Sequence, residues 1–274
     1  MAIFPVSASA DALVFSASGS IPSSIQGSVD AYRSAIGNPN NGNGAGTTGG
    51  RREINWDGGG ATTNATTGTP LTAFLNTRGA LFSTPGTGFT QSPLDATGLA
   101  QLFAPNPTYT DLFQTFSPFR IFTPVGSNLT DVTFFIPGTN GLSPATVSGF
   151  GAVFSDVDFA NSTSIQFFDI SGGSLGTFFA PNGSGVNQSL SFLGVLYNAG
   201  ESVFRVRITT GTAALSPSAF DSTFDLVVMD DVLYPEPTAI PEPSSLLLVS
   251  LGIGGLALQR SRRKKENAGR SKRT

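Results

Sequence analysis

Apolar positions follow three spacings along this chain, and each predicts a different element. From Pro22 to Ile36, the residues Ile25, Val29, Tyr32 and Ile36 recur at intervals of four, three and four, which puts them on one helical face. Ser23 or Ser24 would cap that helix and Gly37 would end it. After Gly79 the pattern shortens to runs rich in Phe, Val, Ile and Thr at 80–83, 119–123, 130–136, 147–154, 163–170, 175–180, 189–196, 203–209 and 224–233. Gly, Pro, Asn and Ser separate them, as turns separate short strands. No helical pattern of comparable length lies between these runs, so the body at 11–234 is expected to be mostly β, an antiparallel sandwich of jelly-roll type. The 23 phenylalanines suit a core fed from two sheets. Residues 70–77, 99–103 and 109–116 read as one or two helical turns each.

The third pattern is continuous. Residues 244–259 are apolar apart from serines and glycines and one Gln at the end, and predict a single transmembrane helix. Counted from Pro243, it would be roughly 26 Å long at about 1.5 Å per residue, against a hydrocarbon core of about 30 Å. Gly252, Gly254 and Gly255 weaken it further, at about 1 kcal/mol each relative to alanine. Arg260, Arg262, Arg263, Lys264 and Lys265 follow at once and open a basic tail at 260–274, expected on the cytoplasmic side with the body outside. Residues 235–243, holding Pro235, Pro237, Pro241 and Pro243, read as a stiff linker that presents its end extended.

Pro241-Glu242-Pro243, the short apolar segment and the arginine-rich cluster, in that order, closely resemble the PEP-CTERM protein-sorting signal of Gram-negative bacteria. That resemblance implies export, recognition by an exosortase-type membrane transpeptidase, cleavage near the tripeptide and deposition at the cell surface or extracellular matrix, often beside exopolysaccharide. The alternative is a permanent single-pass tail anchor. Within the body, Arg51-Arg52-Glu53-Ile54-Asn55-Trp56-Asp57, Gly149-Phe150-Gly151-Ala152-Val153-Phe154 and Met229-Asp230-Asp231 are similar to a recurring body type of exported PEP-CTERM proteins, which implies a fold and a destination only.

Charge changes the picture once the tail is set apart. The full chain has a net charge of −3, but residues 260–274 hold eight of its fifteen basic residues, leaving residues 1–259 at net −10 with no lysine. So acidic a body repels phosphate backbones, and no nucleic-acid partner is expected. Cysteine and histidine are absent, which excludes a Ser-His-Asp triad, a thiolate nucleophile and the usual zinc ligands. Without disulfides an exported domain needs a true core, and about 225 residues are enough to bury one. At the start, Ala8-Ser9-Ala10 has the small-x-small form of a signal-peptidase site, yet residues 1–7 offer neither a basic residue nor an apolar run. Residues 1–10 therefore read as the remnant of a clipped signal peptide.

Three groups of residues carry candidate chemistry. The run 37–50, ten of whose fourteen residues are Gly or Asn, and the run 58–69 read as mobile loops flanking a denser island at 51–58. Its Trp56 either plugs a sandwich edge or stacks on a sugar beside Asn55 and Asp57. Asp230 and Asp231 lie in a run apolar on both faces, so at least one is expected to be buried and to need a partner. Arg205 and Arg207, or backbone amides, could supply it, or Asp156, Asp158 and one of the terminal pair could hold a structural calcium ion. No catalytic residue is expected; the enzymatic alternative is a glycosidase using two of Asp57, Asp156, Asp158, Asp169, Glu201 and Asp230.

Overall fold

A computed structural model describes residues 12–58, 65–94, 99–103, 106, 108–183 and 185–240. In chain order the elements are β1 (Ala12–Gly19), α1 (Pro22–Ile36), β2 (Arg51–Ile54), β3 (Ala65–Gly68), α2 (Leu75–Arg78), β4 (Ala80–Ser83), β5 (Gly88–Ser92), α3 (Leu99–Leu102) and α4 (Tyr109–Leu112). There follow β6 (Ile121–Val125), β7 (Leu129–Phe134), β8 (Ala145–Thr146), β9 (Gly149–Ser155), β10 (Ser164–Phe168), β11 (Ser174–Phe179), β12 (Leu190–Tyr197), β13 (Arg205–Thr209), β14 (Val228–Pro235) and β15 (Thr238–Ala239). The chain is mostly β, as its short apolar runs predict. The expected transmembrane helix at 244–259 and the tail at 260–274 lie outside the described residues.

Two antiparallel sheets face each other. The larger runs β1-β12-β9-β14-β6-β5-β3, with β2 pairing along the later part of β14; the smaller runs β11-β10-β13-β7-β4. Phe122, Phe150, Phe154, Val195 and Val232 from the first meet Phe82, Val132, Phe134, Phe167 and Ile208 from the second in one buried cluster. Strand alternation explains the division of labour in the smaller sheet. On β13, Val206 and Ile208 point into this core while Arg205, Arg207 and Thr209 are only partly buried.

The larger sheet is covered on its other face as well, which is why every residue of β9 and β14 is buried. One cover is α1, whose Ile25, Val29, Tyr32 and Ile36 pack against Val153, Leu190, Phe192 and Leu233. Neither Ser23 nor Ser24 caps this helix. Ile21 occupies the N-cap position without a side-chain hydrogen bond, and Pro22 follows it, where a missing N–H costs nothing. A lost cap costs about 1 kcal/mol, whereas each buried side chain of this size contributes about 1.5–3 kcal/mol, so burial decides the helix. The ring of Tyr32 lies on a floor of glycines: a Cβ added at Gly151 or Gly194 would come within 2.8 Å of it. Its hydroxyl donates to the Val195 carbonyl at 3.2 Å. The second cover gathers Leu99, Tyr109, Leu112 and Phe113 from α3, α4 and the residue after it with Leu215 and Leu226 over Ile121 and Val228.

Candidate functional site

Strand β2 lies against the end of β14, with Ile54 opposite Val232, and delivers Trp56 to the core. At Trp56 the backbone turns left-handed, φ 64°, an uncommon conformation for a bulky residue. The indole is buried, stacks on Phe122 with centroids 3.7 Å apart and planes 5° apart, and meets Phe74 and Phe82 edge-on. Its N–H donates to the Asp230 carbonyl at 2.6 Å. Of the two readings of Trp56 the geometry matches the plug. Asn55 is exposed and donates to Asp57 at 2.8 Å, while Asp57 accepts the Phe119 and Arg120 N–H groups at 3.0 and 3.3 Å, so its carboxylate fastens the turn before β6. A shallow cleft of about 370 Å³ remains beside this island, with Asn43, Asn55, Asp57, Arg78 and Gln91 in its wall.

Asp230 and Asp231 occupy a bulge. Between Met229 and Val232 strand β14 advances three residues while its partner β9 advances two, from Phe154 to Ala152. Asp230 is completely buried; its carboxylate accepts the Phe116 N–H at 2.6 Å and lies 3.2 Å from the Ser117 hydroxyl, which also reaches Asp231 at 2.7 Å. Burial first, and then the charge of Asp231, push Asp230 well above the usual carboxylate range. Asp231 is raised too, chiefly by burial, and lies 3.6 Å from the Arg33 guanidinium. The expected pairing with Arg205 and Arg207 does not occur. Those arginines belong to the smaller sheet, where both bind Asp131 of the adjacent β7 at 2.8 Å.

The calcium set expected from sequence is likewise divided. Asp230 and Asp231 stand with Ser117 and Arg33, whereas Asp156 and Asp158 meet Asp221, which sequence reasoning missed. One carboxylate oxygen of each of these three lies within 4.8 Å of the others. Burial, followed by the charges of Asp158, Asp221 and Asp225, pushes Asp156 up to about 9. Asp221 lies between the runs 203–209 and 224–233, in a segment that read as a plain connection. Asp169 caps its own turn through Ser171 and Gly173, and Glu201 accepts the Ala199 N–H at 3.1 Å.

The body does not stop at residue 234. Pro235 is still paired with Arg51, Glu236 donates its N–H to the Gly50 carbonyl at 2.9 Å, and β15 pairs with β8. The Glu236 carboxylate receives a two-pronged bond from Arg52 at 2.6 and 2.8 Å, both side chains being buried. That arginine also donates to the carbonyls of Gly42 and Ala45, and Glu236 accepts from Asn41 and from the Thr47 N–H. The Gly/Asn run at 37–50, expected as a mobile loop, is therefore tied to the core through its backbone. In the run 58–69, residues 65–68 form β3 and 59–64 lie outside the described residues.

At the last residue of β15 the chain enters a stretch matched by a known signature. A family model described as the PEP-CTERM protein-sorting motif matches residues 239–264. The chain carries a PEP-CTERM sorting motif. This motif implies an exported protein that is processed at the membrane by an exosortase. Its tripeptide Pro241-Glu242-Pro243 and the basic residues Arg260, Arg262, Arg263 and Lys264 fall within the match, with Lys265 just past its end, and all lie outside the described residues. Pro235-Glu236-Pro237 repeats the tripeptide six residues upstream, a repetition legible in the sequence and missed there. No curated protein and no solved structure matches the chain.

Proposed function

We propose that this PEP-CTERM protein is surface cargo: an exosortase removes its C-terminal segment and the β-sandwich body remains as a structural component of the outer surface or biofilm matrix. The observation that carries the reading is the junction between body and signal. The compact unit ends at Ala239, and the matched motif begins at that residue. The last described strand, β15, ends at the first residue of the motif, so a cut at or after the tripeptide leaves every described strand in the body.

Its role as a component rather than a catalyst rests on where the acids are. Glycoside hydrolysis needs two carboxyl groups roughly 5 to 9 Å apart across an open cleft. Of the described residues lining the cleft beside Trp56, Asp57 is the one acid, and it is engaged by the turn before β6. A glycan-contacting role is the second reading, favoured by the exposed amides Asn43 and Asn55 in the same wall.

The intact mass of protein recovered from the native cell surface tests the proposal. A chain ending between 239 and about 243 is the expected result. Full-length protein held in the inner membrane with its terminal arginines would instead identify a permanent tail anchor.

A further inference from the structure

We propose that Asp156, Asp158 and Asp221 form a calcium site that clamps the loop after β9 to the segment between β13 and β14. The inference stands apart from the sorting of the protein and rests on a contrast among its carboxylates. Asp230, Asp225 and Glu236 are buried, and each is met by donors: Phe116 and Ser117 for the first, the Asp158 and Phe159 N–H groups and Ser162 for the second, Arg52 for the third. Asp156 is just as buried, with no exposed surface, and neither of its carboxylate oxygens has a hydrogen-bond partner. The Gln188 N–H nearby is committed to the Leu112 carbonyl at 2.8 Å. One oxygen of Asp158 and one of Asp221 are orphaned in the same way.

Orphaned carboxylates repel one another unless something positive lies between them. Among the described residues, no lysine or arginine pairs with these oxygens. Oxygens bound to one calcium ion sit about 2.3–2.6 Å from it and hence up to about 5 Å from each other; the three carboxylates here, within 4.8 Å, satisfy that limit. The donor set is all oxygen, which suits a hard cation and excludes the softer metals that favour thiolate or imidazole. Calcium is preferred to magnesium because Asp158 and Asp221 are only partly buried and leave irregular room for water, whereas magnesium demands a near-ideal octahedron.

The rest of the neighbourhood holds the ligands in place. The Asp156 N–H donates to the Ser189 carbonyl at 2.8 Å, and its backbone is left-handed, φ 71°. Asp225 spends its carboxylate on the backbone of Asp158 and Phe159, which makes it a positioning residue for Asp158.

The test uses the full chain in mild detergent, stripped with chelator and titrated with calcium chloride at pH 7 by calorimetry and by thermal melting. One ion per chain is expected, with Tm raised by about 5–10 °C at a hundredfold excess over Kd. Asp156→Asn should weaken binding at least tenfold, yet its chelated form should melt no lower than chelated wild type, because the amide places no charge in the buried site. Asp221→Asn should weaken binding as well, and the exposed control Asp111→Asn should leave it unchanged. A wild-type Tm that is the same in chelator and in calcium, binding that survives Asp156→Asn, or magnesium binding as tight as calcium would each overturn the assignment.

Discussion

Trp56 donates its indole N–H to the backbone carbonyl of Asp230 at 2.6 Å, so the one tryptophan of the chain is pinned to the strand that carries the buried aspartate pair. Its emission is therefore a direct report on that join. We expect a blue-shifted spectrum, protected from acrylamide and unmoved by extracellular polysaccharide. Trp56→Ala should cost about 3–5 kcal/mol, since it empties a large space against Phe122. Trp56→Phe should cost about 1–3 kcal/mol, chiefly the unmet Asp230 carbonyl. A red-shifted, readily quenched tryptophan in the folded protein would contradict the buried plug.

Asp230 gives stability a dependence on pH. Its folded pKa is raised, so the protonated form is the one that the fold favours. That contribution is complete below the ordinary carboxylate value near 4 and is lost as pH rises toward and through the raised value. Asp230→Asn keeps an oxygen for the Phe116 N–H and removes the titration. Urea denaturation at pH 5, 7 and 9, with chelator present throughout, should show the wild type losing more stability than the variant as pH rises. Equal slopes for the two proteins would refute the assignment.

Much of this architecture could be read from the chain, and the failures have physical causes. The helix at Pro22–Ile36 and all nine short apolar runs lie where their spacing put them, to within a few residues, because nearly all of them bury at least one face. Strand β3, Ala65–Gly68, lay hidden in a Gly/Thr-rich run; it pairs only with β5 and is mostly exposed, so it carries no apolar signature. Alternation also misled at β14, since a period of two has no place for the extra residue of the bulge at Asp230 and Asp231. Arg205 and Arg207 went to Asp131 because sequence order does not say which sheet a strand joins. Asp221 reaches Asp156 across 65 residues of chain, a distance at which spacing carries no information.

The glycine floor under Tyr32 makes a sharper packing prediction. Gly151→Ala or Gly194→Ala would push a methyl to about 2.8 Å from the ring and should cost about 1–3 kcal/mol by chemical denaturation. In a Tyr32→Leu background Gly151→Ala should cost markedly less, because the ring atom it strikes is gone, whereas Gly194→Ala would still meet Phe192 at 2.9 Å. Additive costs in the Gly151 double-mutant cycle would show that the ring is not what that glycine accommodates.

Arg52→Met leaves Glu236 buried without its countercharge and should cost about 3–5 kcal/mol. Adding Glu236→Leu should restore part of that loss. The remainder would measure the carbonyls of Gly42 and Ala45 that Arg52 also holds, and proteolysis at 37–50 should be faster in both variants. In cells, Arg52→Met should broaden the mature C-terminus to include ends at 235–237. A wild-type-like stability for the single variant would remove the basis for the clasp.

Two copies of one tripeptide thus stand six residues apart, the first riveted into the sandwich by Arg52 and the second beyond its last strand. A cutter that reads only Pro-Glu-Pro would find the upstream copy held in a finished body and loose in an unfinished one. Uniformity of the mature end would then record whether folding came before the cut.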